Sequence, residues 1–112
     1  MIPFLMYCSC LECWARSAFL TNAMIDLSQT EAIYGNARVY EANPFWRPLV
    51  EAEAVGLPYV AFHLAMDAGA RSLPKGLRAP AYLWLAAYYA LTAAHNGPIL
   101  GSGPQIRFTI RL

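Results

Sequence analysis

The sequence predicts an all-α integral membrane protein with about three transmembrane helices, and three observations carry that expectation. Residues 79–100, APAYLWLAAYYALTAAHNGPIL, contain no Lys, Arg, Asp or Glu and carry aromatic rings. Burying such a run on all sides takes more surrounding protein than 112 residues supply. Charged residues make up 13% of the chain against about 25% in an ordinary domain, and hydrophobic residues 58%. Breakers at Gly35, Pro44, Pro74 and Gly76 divide the remainder into two further apolar stretches.

The chain reads as one membrane domain over residues 1–112: an apolar lead at 1–16, a three-helix unit at 17–100 and an extended tail at 101–112. The lead lacks a basic segment and a small-x-small cleavage site, so it is expected to be retained, and the bulky Tyr7 argues against lipid attachment at Cys8. The first helix is placed at 17–36 with Arg16 at the membrane surface and the lead at the interface. The alternative is a start near Pro3, which sets Glu12 and Arg16 one turn apart as a pair. Residues 34–48 hold Gly35, Asn36, Asn43, Pro44 and Pro48 and form a structured loop. The second helix, 49–70, has Glu51 and Glu53 near its positive dipole end, and Pro58 implies a kink or a late start. A basic turn at 71–78 leads to the third helix, 79–98, with Pro80 in its first turn. Arg71, Lys75 and Arg78 in that turn favour a cytoplasmic N-terminus by the positive-inside rule. A net charge of +1 leaves no electrostatic footprint for nucleic acid.

Asp26 and Thr30 share a helix face, one turn apart, and are followed by Gly35, by Glu41 with Asn43 and Pro44, and by Asn96 late in the third helix. This D-x3-T, G, E-x-N-P, N pattern, over about residues 18–100, resembles an uncharacterised family of small three-helix bacterial membrane proteins. The resemblance implies the fold and a multi-pass location in the bacterial inner (cytoplasmic) membrane, and carries no activity. Physically, Asp26, Thr30, Glu41, Asn43, Pro44 and Asn96 read as a structural polar latch that hydrogen-bonds helix to helix and helix to turn. The competing reading makes Asp26 a proton or cation site.

The triplet Cys8, Cys10 and Cys13 offers three metal ligands without an evident fourth, so three unligated, reduced cysteines are expected and no metal. His63 and His95 lie at different depths counted from the turn between the second and third helices, which rules out a shared haem; His63 remains a lone candidate for a pigment or haem, against a histidine hydrogen-bonded between helices. No cofactor is expected. The deeper Tyr88 and Tyr89 need partners for their hydroxyls, whereas Ala86, Ala90 and Ala94 present a small-residue face suited to docking another helix. No nucleophile constellation or phosphate loop appears, so the chain is not expected to be an enzyme. The expectation is an accessory subunit packed against a larger membrane protein complex of respiratory or photosynthetic type, with the lipid bilayer as second partner. The alternative is an autonomous small pore, holin or transporter acting as an oligomer through Asp26.

Overall fold

The computed structural model describes residues 10–35 and 39–100, together with the backbone of 106–108. Helix α1, Leu11–Glu31, starts at an extended Cys10 whose sulfur accepts from the Cys13 N–H at 3.5 Å, and Glu12 occupies the first turn where the dipole favours an anion. Its inner face repeats every four residues through Ala15, Phe19, Ala23 and Leu27, all buried. A left-handed Gly35 (φ +71°) follows the turn after the helix.

Strand β1, Val39–Glu41, pairs in parallel with β2, Ile106–Phe108, with Val39 opposite Ile106 and Glu41 opposite Phe108. The short helix α2, Arg47–Glu51, carries Pro48 in its first turn, and Glu53 just beyond it adopts a positive φ of 55°. Helix α3, Gly56–Arg71, accommodates Pro58 in its opening turn, where a missing N–H breaks no helical bond. Helix α4, Lys75–Ile99, encloses both Pro80 and Pro98.

Side-chain bonds give the helix directions. Asn22 donates to the Ala86 carbonyl at 3.0 Å and Gln29 to the Ala93 carbonyl at 3.1 Å, the same seven-residue step on both helices, so α1 and α4 run parallel. Arg16 meets Asp67 while Asp26 meets Tyr59, so α3 runs antiparallel to α1. Phe19 is the centre of the helical core, with its ring 5.7 to 6.3 Å from those of His63, Tyr82 and Tyr89. At the other end Trp46, Val50, Val55 and Tyr59 join Ile33 and Val39 in the same buried cluster. The molecule measures 45 × 22 × 20 Å.

The membrane placement is corrected: among the described residues no helix is long and apolar enough to cross a membrane. Helix α3 has 16 residues, a rise of about 24 Å, against a hydrocarbon core of about 30 Å. Helix α1 carries Glu12, Arg16, Asp26 and Glu31. In α4 the uncharged run is alanine and tyrosine more than leucine, and Lys75, Arg78, His95 and Asn96 bound it. Uncharged is not the same as apolar. The transmembrane keywords, the inner-membrane location and the orientation fall with the spans. Boundaries shift as well. The first helix begins at Leu11 rather than 17, the expected 49–70 helix splits into α2 and α3, and α4 starts at Lys75, which puts Pro80 inside it.

Candidate functional site

Three layers of polar side chains run through the interface of α1, α3 and α4. Helix α3 contributes Tyr59, His63 and Asp67 at four-residue steps, and α4 contributes Tyr82, Tyr89 and Asn96 at seven-residue steps. Both spacings return to one helix face.

In the first layer Arg16 grips Asp67 with two parallel bonds, Nε to Oδ1 at 2.8 Å and Nη2 to Oδ2 at 2.9 Å. Tyr82 donates to Oδ1 at 2.6 Å, and Arg71 lies 3.5 Å from Oδ2. The bond from Arg16 holds the Asp67 carboxyl below the usual carboxylate range, against the opposing effect of burial. Burial, reinforced by Asp67, pushes the Tyr82 phenol up.

In the middle layer His63 Nδ1 lies 2.7 Å from the Tyr59 carbonyl, which can only accept; the proton therefore sits on Nδ1 and Nε2 accepts from the Tyr89 hydroxyl. Burial lowers the His63 pKa, keeping the ring neutral. The ring stacks on Tyr59 with centroids 4.0 Å apart.

In the third layer Asp26, fully buried, accepts from Tyr59 Oη at 2.8 Å and from Asn96 Nδ2 at 3.1 Å. Desolvation outweighs both bonds and raises its carboxyl pKa to about 6. Thr30 donates to the Asp26 backbone carbonyl at 2.9 Å, not to the carboxylate.

Of the residues expected to form one latch, the structure brings Asp26 and Asn96 into direct contact, with Thr30 one turn along. Glu41, Asn43 and Pro44 build the turn between β1 and α2: buried Glu41 accepts from the Asn43 N–H at 2.8 Å, and Asn43 Oδ1 accepts from the Phe45 N–H at 2.9 Å. His63 is engaged between helices and His95 is exposed. Ala86 is buried against α1 inside the chain's own core, whereas Ala90 and Ala94 are exposed, so the expected docking face is divided. Cys10 is exposed and free but Cys13 is disulfide-bonded, which corrects the expectation of three reduced thiols; Cys8 lies outside the described residues. No group of three potential metal ligands occurs among the described residues. Asp67 and its bridge to Arg16 went unread in the sequence, although Y-x3-H-x3-D followed by Y-x6-Y-x6-N is a joint periodic signal.

A cavity of about 220 Å³ opens between α1 and α3, walled by Leu20, Ala23, Met24, Val60 and Leu64 with Tyr59 and His63 at its base. The hydroxyl of Tyr59 is committed to Asp26 and both His63 nitrogens are engaged, so the cavity meets ring faces rather than free donors or bases. Chemically, this spine fixes helix register and excludes water.

The outer side of α4 is built differently. Leu77, Trp84 and Leu91 stand at seven-residue intervals, 55%, 62% and 72% exposed. Pro80, Ala87 and Ala94 alternate with them, also exposed, and together they form one stripe without a charge. Trp84 stacks on Tyr88 with centroids 5.1 Å apart. Compared with family models, curated proteins and solved structures, the chain matches none of them.

Proposed function

We propose that this chain is a non-catalytic assembly subunit that docks on a partner through the outer stripe of α4. The carrying observation is the exposure of Leu77, Trp84 and Leu91 in heptad spacing on a helix whose opposite face, Tyr82, Tyr89 and Asn96, is fully buried. A helix served on one face by its own core and apolar on the other has the pattern of one seated between two neighbours. The polar groups that would otherwise suggest catalysis support the same reading: Asp26 and His63 are buried and engaged with one another's neighbours, leaving no accessible nucleophile–base pair in the spine.

The test is Trp84→Glu in the full chain, with light scattering of the purified protein and native gel analysis of the source-cell extract. The wild-type chain is expected in a species larger than a monomer, and the variant as a monomer with an unchanged melting temperature. A wild-type monomer in both preparations would falsify the proposal.

A further inference from the structure

We propose that Cys10 and Cys13 form a thiol–disulfide exchange site at the head of α1, in which the thiolate of Cys10 attacks the sulfur of Cys13. The two residues differ in state: Cys10 is a free, exposed thiol, whereas Cys13 is half-buried and disulfide-bonded. A nucleophile and its electrophile therefore stand three residues apart on one helical turn. The chain holds three cysteines, so within one molecule the sulfur bonded to Cys13 belongs to Cys8. Cys8 lies outside the described residues and enters only as the leaving sulfur.

Local geometry selects Cys13 as the sulfur that Cys10 reaches. Cys10 is the N-cap of α1, with an extended backbone (φ −140°, ψ 162°) that turns its side chain back over the first helical turn. Its Sγ already accepts from the Cys13 N–H at 3.5 Å, and the Cys13 sulfur hangs two carbons away from that nitrogen. Helix geometry sets residues three apart at a Cα separation of about 5 Å, inside the roughly 4.4–6.8 Å that a disulfide spans. Side-chain rotation can thus close the new bond without moving the helix.

The step balances without an outside reactant. Cys10 gives its thiol proton to water, its sulfur bonds to Cys13 Sγ, the bond from Cys13 to Cys8 breaks, and the electron pair leaves on the Cys8 sulfur, which takes up a proton. One disulfide and one thiol enter and one of each leaves, so nothing is oxidised or reduced overall. During attack, negative charge spreads over three sulfurs at the positive end of a 21-residue helix, against the single carboxylate of its first turn, Glu12. The product carries its crosslink inside the first turn of α1 and its free thiol at Cys8, so the site decides which of two thiols the protein presents.

The experiment uses the purified full chain, dilute and free of reductant. Free thiol is trapped with N-ethylmaleimide at high or at low concentration, the disulfide is then reduced and capped with iodoacetamide, and tandem mass spectrometry locates each label. One maleimide per chain is expected, divided between Cys10 and Cys8 and absent from Cys13. Fast trapping records the two populations, whereas slow trapping lets exchange refill whichever thiol reacts faster, so the ratio of Cys10 to Cys8 label should differ about twofold or more between the two concentrations. Cys10→Ser should lose the label altogether, since Cys13 stays bonded and no attacking thiol remains. Maleimide on Cys10 alone at both concentrations, or a divided ratio that ignores the trapping rate, means no exchange and overturns the inference. Label on Cys13, or two labels per chain in Cys10→Ser, removes Cys13 as the bonded sulfur and overturns it as well.

Discussion

Two buried carboxylates, Asp26 and Asp67, sit at opposite ends of the helical core and shift in opposite directions, because burial raises both and only Asp67 has a cation to overcome it. Asp67 has a guanidinium against it and is held below its ordinary pKa of 3.8; Asp26 has only neutral donors and rises to about 6. The signs differ accordingly. The stability associated with Asp67 is present above pH 3.8 and is lost as pH falls through its lowered value. The stability associated with Asp26 is full below 3.8 and is lost as pH rises through about 6. The rise from 3.8 to about 6 corresponds to a loss on the order of 3 kcal/mol at neutral pH. Urea denaturation between pH 4 and 7 should therefore show a midpoint that falls in the wild-type chain relative to Asp26→Asn, whose own midpoint should rise toward pH 6.5 because His63 is held neutral by burial. Asn at 26 can accept from Tyr59 and donate to a flipped Asn96, so at pH 7 the variant should equal or exceed the wild type. Asp26→Leu leaves the Tyr59 hydroxyl and the Asn96 amide without an acceptor and should lose about 2–4 kcal/mol. A wild-type midpoint that did not fall relative to Asp26→Asn over this range would remove desolvation as the dominant influence on Asp26. Asp67→Asn should cost about 1–2 kcal/mol at pH 7, discounted because Arg16 is about one-third exposed and rehydrates, with the gap to wild type closing toward pH 3.

At the scale of the element, α4 is two helices in one. Its inner face holds Tyr82, Ala86, Tyr89 and Asn96 against α1 and α3, and its outer face holds the heptad stripe. Ala86→Leu should disturb the fold, because the position is buried and its carbonyl accepts from Asn22; a loss of about 1–3 kcal/mol in thermal melts is expected. Ala90→Leu, on the exposed side, should leave the melting temperature near that of the wild type. Equal losses for the two would mean that the division of α4 into two faces is wrong. This division also marks where the sequence stops being readable. The three apolar stretches and the breakers at Gly35, Pro44 and Pro74 are local signals, and the long helices fall between them. Pro58 was legible as a late start, and α3 indeed begins two residues before it. Which side of α4 faces the core was not legible, because aromatic and alanine residues occupy both sides and hydrophobicity alone does not rank them. Asp67 was missed for a related reason: its partner Arg16 lies 51 residues away, and one carboxylate in an apolar helix carries no mark of what will meet it.

Over the whole molecule the apolar residues divide between the core and the outer faces of the long helices, where Leu11, Trp14, Leu57, Leu64 and Trp84 stand exposed. Low charge and high hydrophobicity therefore accompany apolar side chains on the outer helix faces rather than three spans, and a composition average cannot tell the two apart. The strand pair was equally invisible, since Val39 and Ile106 are 67 positions apart and each strand is only three residues long. Two strands alone are marginal. Ending the chain after Leu100 should accordingly speed amide exchange across Val39–Glu41 while protection in α1 and α4 persists, and hydrogen-exchange mass spectrometry reads the difference. Loss of protection throughout the helices on the same truncation would make the strand pair part of the global cooperative unit.

The parallel pairing of α1 with α4 has a consequence for biogenesis. Asn22 and Gln29 each find their acceptors 64 residues downstream, and Asp26 finds Asn96 70 residues downstream. A ribosome delivers the N-terminal helix seconds before the helix that covers it, at about 5–20 residues per second. During that interval Phe19 and the Asp26 carboxylate face solvent or a chaperone, and closing the structure waits on a long loop rather than on neighbouring turns. Refolding of the purified chain should thus be slow for a helical protein of this size, with α1 acquiring protection in the same kinetic phase as α4 and not before it.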